Sequence, residues 1–268
     1  MMEETGVPNQ LVSVRETHGG AVRELILGGS KGNIVTEALV AELRARIGEA
    51  TDGAGAGRGL KLLVIRGDGP HFSYGASVEE HLPGAVERML PAFHALIGEM
   101  LHCDVPTLAR VSGLCLGGGF EVALACAMIW CDDTAKFGVP EITLGVFPPV
   151  ASALLPAKTA DAVAADMILT GRPVSAAEAH RTGIVNTVVP AGTLDTALDD
   201  FIKMAILPRS ASSLRFACAA ARMRLRRRYT DDIAALESLY LGKLMSTHDA
   251  AEGIRAFLAK RTPEWKDA

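Results

Sequence analysis

The stretch CLGGGFEVALAC (residues 115–126) places three glycines ahead of an apolar run and sets one carboxylate, Glu121, among Phe120, Val122, Ala123 and Leu124. The preceding PTLARVSG (106–113) reads as a strand, so the glycines mark a strand-to-helix junction. Backbone N–H groups at a helix start are unpaired and carry the positive end of the helix dipole, which suits an anion or a developing oxyanion. Without side chains, Gly117, Gly118 and Gly119 let a substrate oxygen approach the main chain, but they equally suit a tight turn that needs glycine for steric reasons. Glu121 also has two readings. A glutamate in a first helical turn is favoured by the dipole, typically by about 0.3–1 kcal/mol. Apolar neighbours would instead raise its pKa and fit it for proton transfer near neutral pH.

Working outward, FGVPEITLG (137–145) holds a second carboxylate in an apolar setting, Glu141, which is either surface-facing or functional. Between them, MIWCDDTAKFGVPE (128–141) predicts two short strands around a polar turn at Cys131–Thr134. If those strands fold back, Glu121 and Glu141 converge. One can then activate water while the other handles a carbon-bound proton, with the glycine junction polarising the substrate. Upstream, LKLLVIRG (60–67) reads as a buried strand, and HFSYGAS (71–77) follows it. Gly75-Ala76 is small enough to offer a second backbone donor, or it is a plain turn.

Elsewhere, LVSVRETHGGAVRELILGG (11–29) is two alternating runs around Gly19-Gly20, a hairpin signal. TEALVAELRARIGEA (36–50) and AVERMLPAFHALIGEMLHC (85–103) have helical periodicity, the latter with Pro91 in its first turns or at a kink. GAGAGRG (53–59) precedes a strand instead of following one, so it reads as a flexible linker and not a nucleotide loop. From about Pro148 onward the pattern is helical, with only NTVVP (186–190) strand-like. Strand–helix alternation followed by helices predicts a layered α/β core with a helical C-terminal segment. RFACAAARMRLRRRYTDD (215–232) carries six arginines, read as a solvated helix face in preference to a phosphate or partner site.

Composition narrows the function classes. The 268 residues are 49 % hydrophobic and 22 % charged with net charge −4, so nothing points to nucleic acid or an anionic membrane surface. No apolar run reaches the length of a membrane span, and MMEETGVPNQ (1–10) is too acidic and polar for a leader. Five cysteines without CxxC spacing predict reduced core residues, and the expected location is cytoplasmic. No HExxH, Walker lysine loop or GxSxG occurs, and the seven scattered histidines predict no metal site.

Together these motifs resemble the enoyl-CoA hydratase/isomerase family, the crotonases. VSGLCLGGGFEVALACAMIWCDDTAKFGVPEITLGVFP (111–148) is similar to the family's core signature, and HFSYGAS to its first oxyanion loop. TGRPVSAAEAHRTGIVNTVVP (170–190) and AAEGIRAFLAKRTPEW (250–265) resemble its later segments, so the likeness spans about residues 11 to 265. The resemblance implies an α/β fold built as a spiral of ββα units (1–200), followed by a helical oligomerisation region (201–268), in a homotrimer or homohexamer. It implies an acyl-CoA thioester substrate whose carbonyl is held by the N–H groups of Ala76 and Gly118. Water-adding members carry glutamates at both GGGFE and GVPE, matching Glu121 and Glu141, with Glu141 acting together with Glu121 on the water. No metal or redox cofactor is implied, coenzyme A being part of the substrate. Lys260 and Arg261 are candidate CoA phosphate contacts, in this subunit or a neighbour.

Two segments depart from the common pattern. GASVEEH (75–81) lacks the usual GAD and lysine-containing turn, and VFPPVASALLP (146–156) replaces a glycine-rich run. Both border the family's acyl pocket, so Tyr74, Phe147, Pro149 and Val150 are acyl-pocket candidates. Their pairing resembles family members acting on a flat, cyclic dienoyl thioester in anaerobic aromatic degradation. Ordinary linear enoyl-CoA hydration and a catalytically silent binding subunit are the alternatives.

Overall fold

In the computed structural model, which describes residues 10–51 and 59–268, the chain begins as a hairpin. Strands β1 (Val12–Thr17) and β2 (Val22–Leu27) pair antiparallel, Val12 opposite Leu27, and the chain reverses through Gly19 and Gly20 at positive φ. Helix α1 (Glu37–Thr51) follows, then β3 (Leu62–Gly67), which pairs parallel with β2. Most of the predicted linker GAGAGRG lies outside the described residues.

Three turns of a spiral then repeat. Strand β3 is followed by the 71–77 loop and α2 (Val86–His102). Next come β4 (Thr107–Val111), β5 (Leu114–Leu116) and α3 (Gly117–Ala125). Strands β6 (Met128–Asp132) and β7 (Lys136–Gly138) lead through a 3₁₀ turn, Pro140–Leu144, into α4 (Pro149–Lys158). In each turn the first strand joins a six-stranded sheet ordered β1-β2-β3-β4-β6-β9, in which β9 is Thr187–Val189, parallel from β2 onward. The second strand joins a smaller sheet, β5-β7-β8, in which β8 is Val174–Ser175 and to which Ser73 of the 71–77 loop bridges at Cys115. This is the crotonase-type α/β spiral. Helix α5 (Asp161–Thr170), β8 (Val174–Ser175), α6 (Ala176–Arg181), β9 (Thr187–Val189) and α7 (Leu194–Phe201) complete it. The long α8 (Ala211–Gly242) and α9 (His248–Leu258) close the chain. No helix among the described residues is long and apolar enough to cross a membrane.

Both faces of the large sheet are covered, which explains why its strands read as continuous apolar runs. Along β3, Leu63 and Ile65 enter the main core, whereas Leu62 and Val64 meet Leu198, Ile202 and Ile206 on the other face. Helix α3 is buried at every position and correspondingly apolar all round. All five cysteines are buried and free.

Two expectations need correction. Strands β6 and β7 do not fold back on each other; they belong to different sheets, because Phe137 pairs with Cys115 of β5 while Cys131 pairs with Val111 of β4. Nor is the arginine run merely a solvated face. Arg222 is buried, donating to the carbonyls of Met100 and Ala125, and Arg226 donates to Leu101 O at 2.7 Å. These carbonyls end α2 and α3, where the last turn leaves backbone acceptors unpaired and favours cations. Helix α8 thus ties down two helix C-termini while packing on α2 and α4.

Candidate active site

The strand-to-helix junction at 115–119 is built by steric necessity. Gly117 has φ +48°, and a Cβ there would lie 2.7 Å from Glu141 Oε1. A Cβ on Gly119 would lie 2.4 Å from Ser73 Cβ, so α3 could not settle against the 71–77 loop. At Gly118 a Cβ would sit 3.1 Å from Ala76 Cβ and 3.3 Å from Ala76 N, which places the two predicted oxyanion donors side by side. Ala76 bridges to Val35, but the bonds of that bridge run from Val35 N to Gly75 O and from Ser77 N to Val35 O. The Ala76 N–H therefore stays out of the pairing. The Gly118 N–H lies in the first turn of α3, where no intrahelical acceptor exists, and the residue before the helix, Leu116, has no side-chain cap to offer.

Glu121 is the fifth residue of α3, not part of its first turn, because the helix begins at the glycines themselves. It cannot act as a cap for its own helix. Its Oε1 accepts a 2.8 Å hydrogen bond from the N–H of Ala151, in the first turn of α4, and the Val150 N–H also bonds the carboxylate. Burial pushes its pKa up to about 7, and those two backbone donors restrain the rise. Glu141 sits at the start of the 3₁₀ turn after Pro140, and its Oε2 is buried without a hydrogen-bond partner. Burial, reinforced by the Glu121 charge, pushes its pKa up to about 8.

Both glutamates line a cavity of about 330 Å³ together with Ala76 and Gly118. Of the predicted acyl-pocket residues, Tyr74, Phe147 and Pro149 also line it. Val150 does not. It is fully buried, and its contribution is the backbone N–H that α4 aims at Glu121. The CoA candidates fall elsewhere as well: Lys260 and Arg261 are exposed and absent from the cavity wall, and Arg261 Nη2 is engaged with Glu252 Oε2 at 2.8 Å.

Sequence reasoning missed the far wall. Helix α2 supplies Met89, Leu90 and Phe93, α8 supplies Tyr240, and α9 supplies Ile254 and Phe257. His81, its Nδ1 2.7 Å from Ser77 O, lines the cavity from the departing GASVEEH segment, and burial pushes its pKa down. One signal was available for α9: Gly253 lies against the 3₁₀ turn, where a Cβ would come 2.2 Å from Leu144 O. No group of three or more His, Cys, Asp or Glu placed to hold a metal occurs among the described residues.

The spiral of strand pairs and helices, with a cleft between α3 and the 71–77 loop, defines a crotonase-type enzyme. The enoyl-CoA hydratase/isomerase family pattern matches residues 32–268, and the chain belongs to that family. A cyclohexa-1,5-dienecarbonyl-CoA hydratase of Thauera aromatica is 42 % identical over 248 residues, 92 % of this chain and 94 % of that one. A probable enoyl-CoA hydratase of Mycobacterium bovis is 36 % identical over 77 % of this chain and 80 % of its own length. Among solved structures, an enoyl-CoA hydratase from Mycobacterium avium superposes with a TM-score of 0.82 at 27 % identity, covering 96 % of this chain and 99 % of that one. With such relatives the chain is a hydro-lyase.

Proposed function

We propose that this enzyme adds water to a cyclic, conjugated dienoyl-CoA, converting cyclohexa-1,5-diene-1-carbonyl-CoA to 6-hydroxycyclohex-1-ene-1-carbonyl-CoA in anaerobic aromatic degradation. The observation that carries this reading is the pair of glutamates, both held above the ordinary carboxylate range, in one cavity with two unpaired backbone N–H groups. Near neutral pH such a pair shares one proton, so one member is a base while the other is an acid. Glu121 is the better base because the α4 N–H groups stabilise its charge, and Glu141, whose Oε2 has no donor, is the better acid. That division differs from a water activated mainly by Glu141.

The Ala76 and Gly118 N–H groups hold the thioester oxygen and stabilise the dienolate that forms as water adds. Glu121 takes one proton from water as its oxygen bonds the β ring carbon. Glu141 delivers its proton to the distal ring carbon, a 1,4-addition that leaves one ring double bond conjugated to the thioester. A proton shift from Glu121 to Glu141 resets the pair. The step needs no metal or redox cofactor, since the oxyanion donors supply the activation.

The 42 % identity to the Thauera enzyme supports the cyclic substrate, as does the wall of Phe147, Pro148, Pro149 and Tyr240, whose rigid faces suit a flat ring. Exposed Phe216 and Met223 on α8 support the oligomer reading, to be checked by light scattering. The deciding experiment compares rates on the cyclic dienoyl-CoA and on crotonyl-CoA, with products identified by mass and NMR. Preference for crotonyl-CoA would mean an ordinary enoyl-CoA hydratase; acyl-CoA binding without any product would mean a silent binding subunit.

A further inference from the structure

Tyr240, near the end of α8, is 1 % exposed, and its ring meets Phe147 edge-on with centroids 5.3 Å apart and planes at 64°. Its hydroxyl is buried with no hydrogen-bond partner, and so is Glu141 Oε2. Both residues line the same cavity as Glu121. A buried polar atom without a partner is destabilising, and native structures rarely keep one unless something else completes it. Here an orphaned phenol and an orphaned carboxyl oxygen border one ligand-sized space whose remaining wall is largely apolar. Burial and the two nearby carboxylates hold the Tyr240 pKa well above its ordinary value, so the phenol keeps its proton and remains a donor.

Resting on the hydration reading, we infer that the Tyr240 hydroxyl donates a hydrogen bond to the oxygen that is added to the ring: the attacking water before reaction, and the ring hydroxyl after it. The thioester oxygen already has the N–H groups of Ala76 and Gly118. The water oxygen has two lone pairs, one of which forms the new bond to carbon. Glu121 removes one of its protons, and the second lone pair is free to accept from Tyr240. Tyr240 loses no proton at any stage; it orients the water and anchors the product hydroxyl. Phe147, from the segment that departs from the family pattern, holds the phenol ring in place, which couples ring-sized selectivity to placement of the water.

Tyr240→Phe removes the hydroxyl and keeps the ring against Phe147. With the cyclic dienoyl-CoA, kcat is expected to fall about tenfold or more while KM changes less than about twofold, and thermal stability is not lowered. Calorimetry with two thioesters reads the bond directly. The variant should bind 6-hydroxycyclohex-1-ene-1-carbonyl-CoA about 5- to 10-fold more weakly than wild type and bind the analogue lacking the hydroxyl equally well. Unchanged kcat and unchanged product affinity would overturn the inference while leaving the hydratase assignment intact. A wild-type enzyme that hydrates neither cyclic nor linear substrates overturns both. If the variant does not fold, the wild type still decides: equal affinity for the hydroxylated and unhydroxylated thioesters refutes a bond to that oxygen.

Discussion

Replacing Glu141 by glutamine should cripple the enzyme and stabilise the protein at the same time. The side chain is buried, and its pKa stands near 8 against an ordinary 4.5, so in the folded state its charged form is strongly disfavoured. Well below pH 4.5 the group is protonated in both folded and unfolded chains and costs nothing. As pH rises past the unfolded value, the unfolded chain ionises while the folded chain holds its proton, and stability is lost until pH passes the folded value. Between these limits the loss reaches roughly 3 kcal/mol at pH 7, at 1.36 kcal/mol per pKa unit. Glutamine has the shape of the protonated acid and never ionises. Glu141→Gln is therefore expected to gain about 4–5 kcal/mol over wild type at about pH 8.5, and almost none at about pH 4.5. For a chain of this size that gain is worth roughly 8–20 °C in melting temperature. Loss of the proposed proton donor should meanwhile lower kcat by about 10²–10⁴. Thermal melts of both proteins across this pH range, beside turnover on the dienoyl-CoA, test both halves. A variant no more stable than wild type at high pH, or one whose advantage is independent of pH, would refute the claim that burial holds Glu141 protonated.

Turnover itself should follow a narrow bell, falling below about pH 7 as Glu121 protonates and above about pH 8 as Glu141 ionises; a pH–rate profile of kcat/KM flat from about pH 6 to 9 contradicts the shared proton. Gly117→Ala places a methyl 2.7 Å from Glu141 Oε1 at a positive φ, so it should displace that carboxylate and cut kcat at least tenfold, with about 1–2 kcal/mol lost in denaturant melts. Phe147→Ala opens the ring wall and should lower kcat/KM for the cyclic substrate about tenfold or more relative to crotonyl-CoA, measured as a ratio within each enzyme. Arg222→Met frees the carbonyls of Met100 and Ala125 from their buried donor and should cost about 2–3 kcal/mol in urea melts, with kcat little changed in the protein that stays folded.

The sequence by itself determined the architecture and most of the candidate site. Alternating runs around Gly19-Gly20, the buried strand at 60–67 and the glycine-to-helix junction are local patterns, and each formed where its own residues require it. Glu121, Glu141, Ala76 and Gly118 were legible for the same reason, since they sit within short motifs whose chemistry depends on adjacent residues. Only the tertiary structure decided how those residues are placed and what surrounds them. That Glu121 is not a cap for its own helix turned on where α3 begins, and its partner is an N–H of α4, which lies 30 residues away in sequence. Val150 was legible as a pocket residue because its neighbours are, yet α4 turns its side chain into the core and its N–H toward the carboxylate. Tyr240 and the buried Arg222 were illegible, because nothing near them in the chain distinguishes them from the rest of a long, polar helix. Periodicity reports the surroundings a segment makes for itself. The desolvation that raises a pKa, orphans a phenol or buries a guanidinium is made by other segments, and it exists only once they have packed.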